Sequence, residues 1–139
     1  MDGWNLLVEA TITAFHFDHE KMEMKIDVRC HWDGGYNKRI IVSGIDRLAI
    51  EEMREYNIIF QVTQFGAEEA MDENSGCASK LFFLMQERDM VASDRNWPYL
   101  EEKLSLIRDG RLKLIEIEPV CGASIIVLAE SIKLEAIEN

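Results

Sequence analysis

The sequence lacks the long apolar runs of a membrane protein and the basic clusters of a nucleic-acid-binding protein. No run approaches the roughly 18 apolar residues that a membrane-spanning helix needs. The chain has 15 Lys and Arg residues against 26 Asp and Glu residues, which gives a net charge of −11. Because DNA, RNA and anionic membranes bind through Lys and Arg, this balance argues against those partners and favours basic ones.

The sequence is also poor in cysteine and in catalytic motifs. Cys30, Cys77 and Cys121 form no C-x-x-C pair, so neither a disulfide framework nor a zinc site is indicated. No G-x-S-x-G, phosphate-binding loop or H-E-x-x-H motif occurs. Free thiols are typical of a reducing compartment, and the acidic start MDGWNLLVEAT does not resemble a signal peptide. We therefore expect a cytoplasmic protein with no cofactor and no metal.

Two alternating segments, residues 6–17 and 22–32, predict an antiparallel hairpin at the start of the chain. Charged residues occupy one face of the second segment, and the other face is apolar, with Met22, Met24, Ile26, Val28, Cys30 and Trp32. A period of two indicates strands with one buried face. On this pattern Cys30 and Trp32 belong to the core.

The same pattern constrains the hairpin register. Both apolar faces must meet one core, so paired residue numbers should sum to an even number. This predicts a three-residue loop centred on His19 or Glu20, and His19 is preferred because it pairs Glu9 with Arg29 and Ile12 with Ile26.

The rest of the chain is a succession of short elements. Residues 46–56 have helical spacing, although the preceding strand could instead continue through Leu48 and Ile50. A helix is predicted from Pro98, with Trp97 at its N-cap and Gly110 at its end. The remaining predictions are a turn at Asp33-Gly34-Gly35, strands at 39–43, 57–65, 80–86, 111–118 and 124–135, and a mobile loop at 66–79.

These elements predict an α+β fold in one domain, residues 1–139. We expect a single, mostly antiparallel sheet of about six to seven strands, with two helices packed on it. Either terminal strand could pair across a homodimer if it lies at a sheet edge.

The candidate binding site is the acidic part of the loop at 66–79. Four carboxylates, those of Glu68, Glu69, Asp72 and Glu73, meet no basic residue in this stretch. Such a surface attracts a basic protein and mimics the phosphates that the protein normally binds. Exposed Trp4, Tyr36 or Trp97 could supply aromatic anchors for this interface.

In size, acidity and lack of catalytic motifs, the chain resembles the immunity proteins with which bacteria neutralise basic toxin domains, often nucleases. The resemblance implies a non-enzymatic inhibitor that covers the toxin's cationic cleft by protein–protein binding. Two alternatives stay open. One is a secretion chaperone, although those usually begin with a helix. The other is a small enzyme that uses the hairpin tip, His16, Asp18 and His19, or Cys121.

Overall fold

The computed structural model describes residues 3–32 and 36–137 as one antiparallel sheet with helices against it. The strands are β1 (Thr11–Asp18), β2 (Glu23–Arg29), β3 (Asn37–Glu51), β4 (Ile58–Phe65), β5 (Lys113–Cys121) and β6 (Ser124–Ala136). The helices are α1 (Ala67–Met71), α2 (Cys77–Gln86) and α3 (Pro98–Arg108), and short 3-10 helices span Gly3–Leu7 and Ala92–Asn96. The predicted fold class, α+β with a single antiparallel sheet, is confirmed.

The sheet closes into a barrel in the order β1, β2, β3, β6, β5, β4. Closure between β1 and β4 is short and centres on the pair Thr11 and Ile58. The Ile12 N–H donates to the Asn57 carbonyl at 2.8 Å, and the Glu9 N–H donates to the Ile59 carbonyl at 2.7 Å. The sequence predicts the sheet but not its closure, because this pairing joins strands more than 40 residues apart.

Two apolar cores lie on opposite faces of β5 and β6. Alternate side chains of these strands, such as Ile115 and Val127, point into the barrel. Their neighbours Leu114 and Leu128 pack outward against the helices. The helical core is completed by residues of all three α-helices, among them Ala70, Leu81, Phe82, Leu100 and Leu104. Burial on both faces explains the continuous apolar run at residues 125–129 of β6.

The hairpin of β1 and β2 exists, but the preferred register centred on His19 is wrong, because Arg29 pairs with Thr11 rather than with Glu9. Asp18 pairs with Glu23, so the loop has four residues rather than three, and Phe15 instead of Ile12 pairs with Ile26. A bulge between Ile12 and Ala14 inserts one residue and reverses the parity on which the prediction rested. The segment before Thr11 also differs, because a 3-10 helix replaces the start of the predicted strand.

The helix predicted at residues 46–56 is wrong, and its alternative is correct. β3 continues through Leu48 and Ile50 to Glu51. Gly44 takes a left-handed backbone (φ +65°), and the pairing with β6 shifts register between Ile45 and Arg47. This irregularity changes the phase of the apolar residues, so their spacing in the sequence imitates a helix.

The strand predicted at residues 80–86 is also wrong, because the segment lies within α2. Its apolar run packs between the sheet and α3 on most sides, with Leu81, Phe82, Leu84 and Met85 buried. The helix predicted from Pro98 is confirmed as α3, with Trp97 at its N-cap. The strands at 57–65, 111–118 and 124–135 are confirmed as β4, β5 and β6. The turn at Asp33-Gly34-Gly35 lies outside the described residues.

Candidate functional site

The acidic segment after β4 is folded, which corrects the prediction of a mobile loop at 66–79. Residues 67–71 form α1, and the Glu69 carboxylate caps the helix by accepting the Gly66 N–H at 2.9 Å. The Asp72 carboxylate accepts the Asn74 N–H at 2.9 Å in the following turn. Two of the four predicted binding carboxylates therefore also order the backbone that carries them.

The four carboxylates differ in exposure. Glu68, Asp72 and Glu73 are exposed, and Glu69 is half-buried. Within residues 3–32 and 36–137, no Lys or Arg lies at ion-pair distance from any of them. Residues 68–73 therefore form a local cluster of negatively charged side chains.

A cleft of about 600 Å³ borders this segment, between α1, α2, α3 and the second 3-10 helix. Asp72 and Glu73 are part of its lining. The apolar part of the lining includes Ala70, Met71, Ala78 and Met90. Met71 is 63% exposed, which is high for so apolar a side chain. We call this feature the acidic cleft.

Arginines on the far side of the acidic cleft are already paired. Arg108 and Arg95 both line the cleft, and both form ion pairs with Glu101. The hydrogen bond from Arg108 holds the pKa of Glu101 below its usual value, and the bond from Arg95 adds to this. Glu101 carries one negative charge against the two positive charges of these arginines, so the arginines also offset part of the charge of Asp72 and Glu73 in the cleft. The arrangement can accept a cationic or apolar side chain, and its lining includes no Cys or His.

The cysteines differ sharply in accessibility. Cys30 is buried in the barrel, as predicted for a small core residue. Cys77 is the first residue of α2 and is also buried. Burial raises the pKa of the Cys77 thiol to about 11, and the Glu69 charge contributes to the increase. Cys121 is exposed, with its sulfur 3.9 Å from the Tyr56 carbonyl.

The predicted residues of the hairpin tip lie at the surface or within the loop. His16 and His19 are exposed, and the Asp18 carboxylate accepts the Lys21 N–H at 3.1 Å within the loop. Among the described residues, no three or more His, Cys, Asp or Glu side chains lie where they could hold a metal ion. His16 is exposed and lies opposite Lys25 of β2.

The predicted aromatic anchors occupy different environments. Tyr36 is 54% exposed, whereas Trp4 packs against the barrel core. Trp97 packs edge-on against Phe82 at a centroid distance of 5.8 Å. Trp32, predicted in the core, is instead exposed, and its indole N–H donates to the Val8 carbonyl at 2.8 Å. None of Trp4, Tyr36 and Trp97 lines the acidic cleft.

A buried carboxylate on β5 is a feature that the sequence reasoning missed. Glu116 is 5% exposed and accepts a hydrogen bond from Lys80 of α2 at 2.8 Å. Burial raises the pKa of neighbouring Glu118, and a hydrogen bond and the charge of Glu116 raise it further. The sequence does indicate this burial, because side chains two residues apart in a strand lie on the same face. Glu116 is therefore on the face of Leu112 and Leu114, which pack against the helices.

Comparisons with known proteins identify no relative. No family model matches the chain, and neither the curated proteins nor the solved structures include a significant match. Across the described residues, no helix combines the length and the hydrophobicity needed to cross a membrane. Any functional proposal therefore rests on the chain's own residues.

Proposed function

We propose that the protein is a non-enzymatic, immunity-type inhibitor that binds and neutralises a basic, nuclease-like toxin domain in the bacterial cytoplasm. The observation that carries the proposal is the acidic cleft, where Asp72 and Glu73, which form no ion pair with any described residue, border an exposed apolar lining. The net charge of −11 also favours a basic partner over an acidic one for the molecule as a whole.

The chemistry of the cleft fits a basic protein surface. Exposed carboxylates steer a cationic partner into contact, and this contribution weakens as salt screens the charges. Met71 and Met90 provide flexible apolar contact area, which adapts well to a partner's side chains. Glu68, Asp72 and Glu73 would then face the Lys and Arg residues with which a nuclease holds phosphate.

The test is affinity capture from the source lysate at low and then moderate salt, with three baits. The first bait is the native protein. The second carries Glu68→Gln, Glu69→Gln, Asp72→Asn and Glu73→Gln. The matched control has the same net charge but carries the changes elsewhere, at Glu20→Gln, Glu52→Gln, Glu55→Gln and Glu102→Gln, which are all exposed and outside the acidic cleft.

The proposal expects a basic protein that the native and control baits retain and that the cleft variant loses. A captured nuclease should also lose activity when the native protein is added. Capture that depends only on total charge, so that both variants lose the partner equally, would contradict a specific role for the cleft. Failure of the native bait to retain any basic protein at low salt would contradict the proposal itself.

A further inference from the structure

Two adjoining cavities lie where the end of α2 meets the start of α3. One has a volume of about 410 Å³ and the other of about 390 Å³, and both are lined by Gln86 and Trp97. Cavities of this size are large enough for a small organic ligand. We call the two cavities together the aromatic groove. It shares no lining residue with the acidic cleft, so it is a separate feature of the surface.

The aromatic groove is electrically balanced, although the whole molecule has a net charge of −11. The charged residues of its lining are three cations and three anions, namely Arg47, Arg88 and Lys103, and Asp46, Asp94 and Glu102. Arg88 donates to both oxygens of Asp94, at 2.9 and 3.0 Å, and the Nζ atom of Lys103 lies 2.9 Å from Asp46. Because neither sign is in excess, the groove gives no net attraction to a strongly charged ligand.

Neutral polar groups in the aromatic groove are left without partners in the protein. The side chains of Gln86, Ser93 and Asn96 form no hydrogen bond with any residue in the ranges 3–32 and 36–137. The indole N–H of Trp97 forms none within those ranges either. No buried polar side-chain atom in that part of the chain lacks a partner, so the indole N–H of Trp97 opens to solvent. Two amides, a hydroxyl and an indole N–H therefore remain for a ligand.

The aromatic side chains of the groove are inclined to one another. The Trp97 ring lies at 77° to Phe82 and at 62° to Tyr99, with centroid distances of 5.8 and 5.7 Å. A flat nucleobase is held by stacking between aromatic or apolar side chains, and these inclined rings form no parallel slot for it. The negative face of an aromatic ring also attracts the partially positive hydrogens of C–H groups. An inclined aromatic wall therefore suits a non-planar ring that carries C–H groups.

We propose that the aromatic groove binds a neutral oligosaccharide. A sugar ring offers C–H groups to Trp97 and to Tyr99, which is 61% exposed. Its hydroxyl groups both donate and accept hydrogen bonds, which matches the free amides of Gln86 and Asn96. It carries no charge, in keeping with the balanced lining. Since the two cavities share Trp97, linked sugar units in both of them contact the same indole.

The test is heteronuclear NMR of the isotopically labelled native protein with maltohexaose, cellohexaose, xylohexaose and N-acetylated chitohexaose as probes. The chain has three tryptophans, and Trp97→Phe identifies the indole signal of Trp97. At least one sugar should move this signal together with the side-chain amide signals of Gln86 and Asn96, while the indole signals of Trp4 and Trp32 stay fixed. If no sugar moves the Trp97 signal at millimolar concentration, the inference is overturned. Adenosine or a capped neutral tripeptide that binds the groove when no sugar does would also overturn it.

Matched variants locate the bound sugar. Tyr99 and Tyr36 are both exposed, and only Tyr99 lines the aromatic groove. Tyr99→Ala and Gln86→Ala should each weaken sugar binding about fivefold, the effect of losing about 1 kcal/mol, with the native circular dichroism spectrum retained. Tyr36→Ala should leave the affinity unchanged. Native affinity in both groove variants, or equal weakening by Tyr36→Ala, would place the sugar elsewhere and overturn the inference.

Discussion

Asn57 is expected to hold the closure of the barrel, and Asn57→Ala tests this. The side chain is 7% exposed and makes three hydrogen bonds. Its amide oxygen accepts the N–H groups of Arg54 at 3.1 Å and Ala123 at 2.8 Å, and its amide nitrogen donates to the Arg54 carbonyl at 2.6 Å. It thus ties the β3–β4 connection to the β5–β6 turn, directly beside the bond between Asn57 and Ile12.

The expected loss in the free energy of unfolding depends on whether water can replace each lost hydrogen bond. Arg54 is exposed, so water can replace its two bonds, and each costs about 0.5–1 kcal/mol. Ala123 is 2% exposed, so its N–H stays buried without a partner, at a cost of about 1–3 kcal/mol. Asn57→Ala should therefore lower the free energy of unfolding by about 3 kcal/mol.

Urea unfolding followed by circular dichroism measures this change. The midpoint should fall while the slope stays constant, because the native fold is retained. Asn96→Ala is the control, since Asn96 is exposed and should change stability by less than about 0.5 kcal/mol. A loss below about 1 kcal/mol for Asn57→Ala would refute the reasoning.

Two further predictions concern the titratable groups. The pKa of Glu118 is raised in the folded state, so its contribution to stability should decline as the pH rises through the unfolded and then the folded pKa. Urea unfolding across the acidic to neutral range should show Glu118→Gln gaining stability relative to the native protein as the pH rises, and a constant difference would contradict this. The buried thiols of Cys30 and Cys77 have raised pKa values, so a thiol reagent at mildly alkaline pH should label Cys121 alone rapidly and all three in denaturant. Rapid labelling of any thiol in the folded Cys121→Ser variant would contradict that assignment.

Local signals were sufficient where each residue's environment repeats regularly. α3 was predictable because Pro98 sets its start and Leu100, Leu104 and Ile107 form one buried stripe. The hairpin was predictable because β2 alternates without interruption. Its register was not, because the bulge before Ala14 has no distinct residue signature.

Sequence periodicity did not predict the structure of segments that are buried on several sides. α2 is apolar on most of its surface, so periodicity alone does not separate it from a buried strand. Its sequence, CASKLFFLMQ, does contain a usable signal, since no residue in it is β-branched. The sequence shows the acidic residues Asp72 and Glu73 but not the shape of the cleft that they line. That shape depends on Met90 and Arg108, which only tertiary packing brings to the cleft.

The position of β5 and β6 between two cores has a consequence for the way the molecule opens. Because one core lies inside the barrel and the other beneath the helices, the helices can detach without exposing residues such as Ile115 and Val127. Such separate units open with different free energies. The acidic cleft belongs to the outer unit, so the surface that we propose as a binding site can rearrange while the barrel that supports it stays closed.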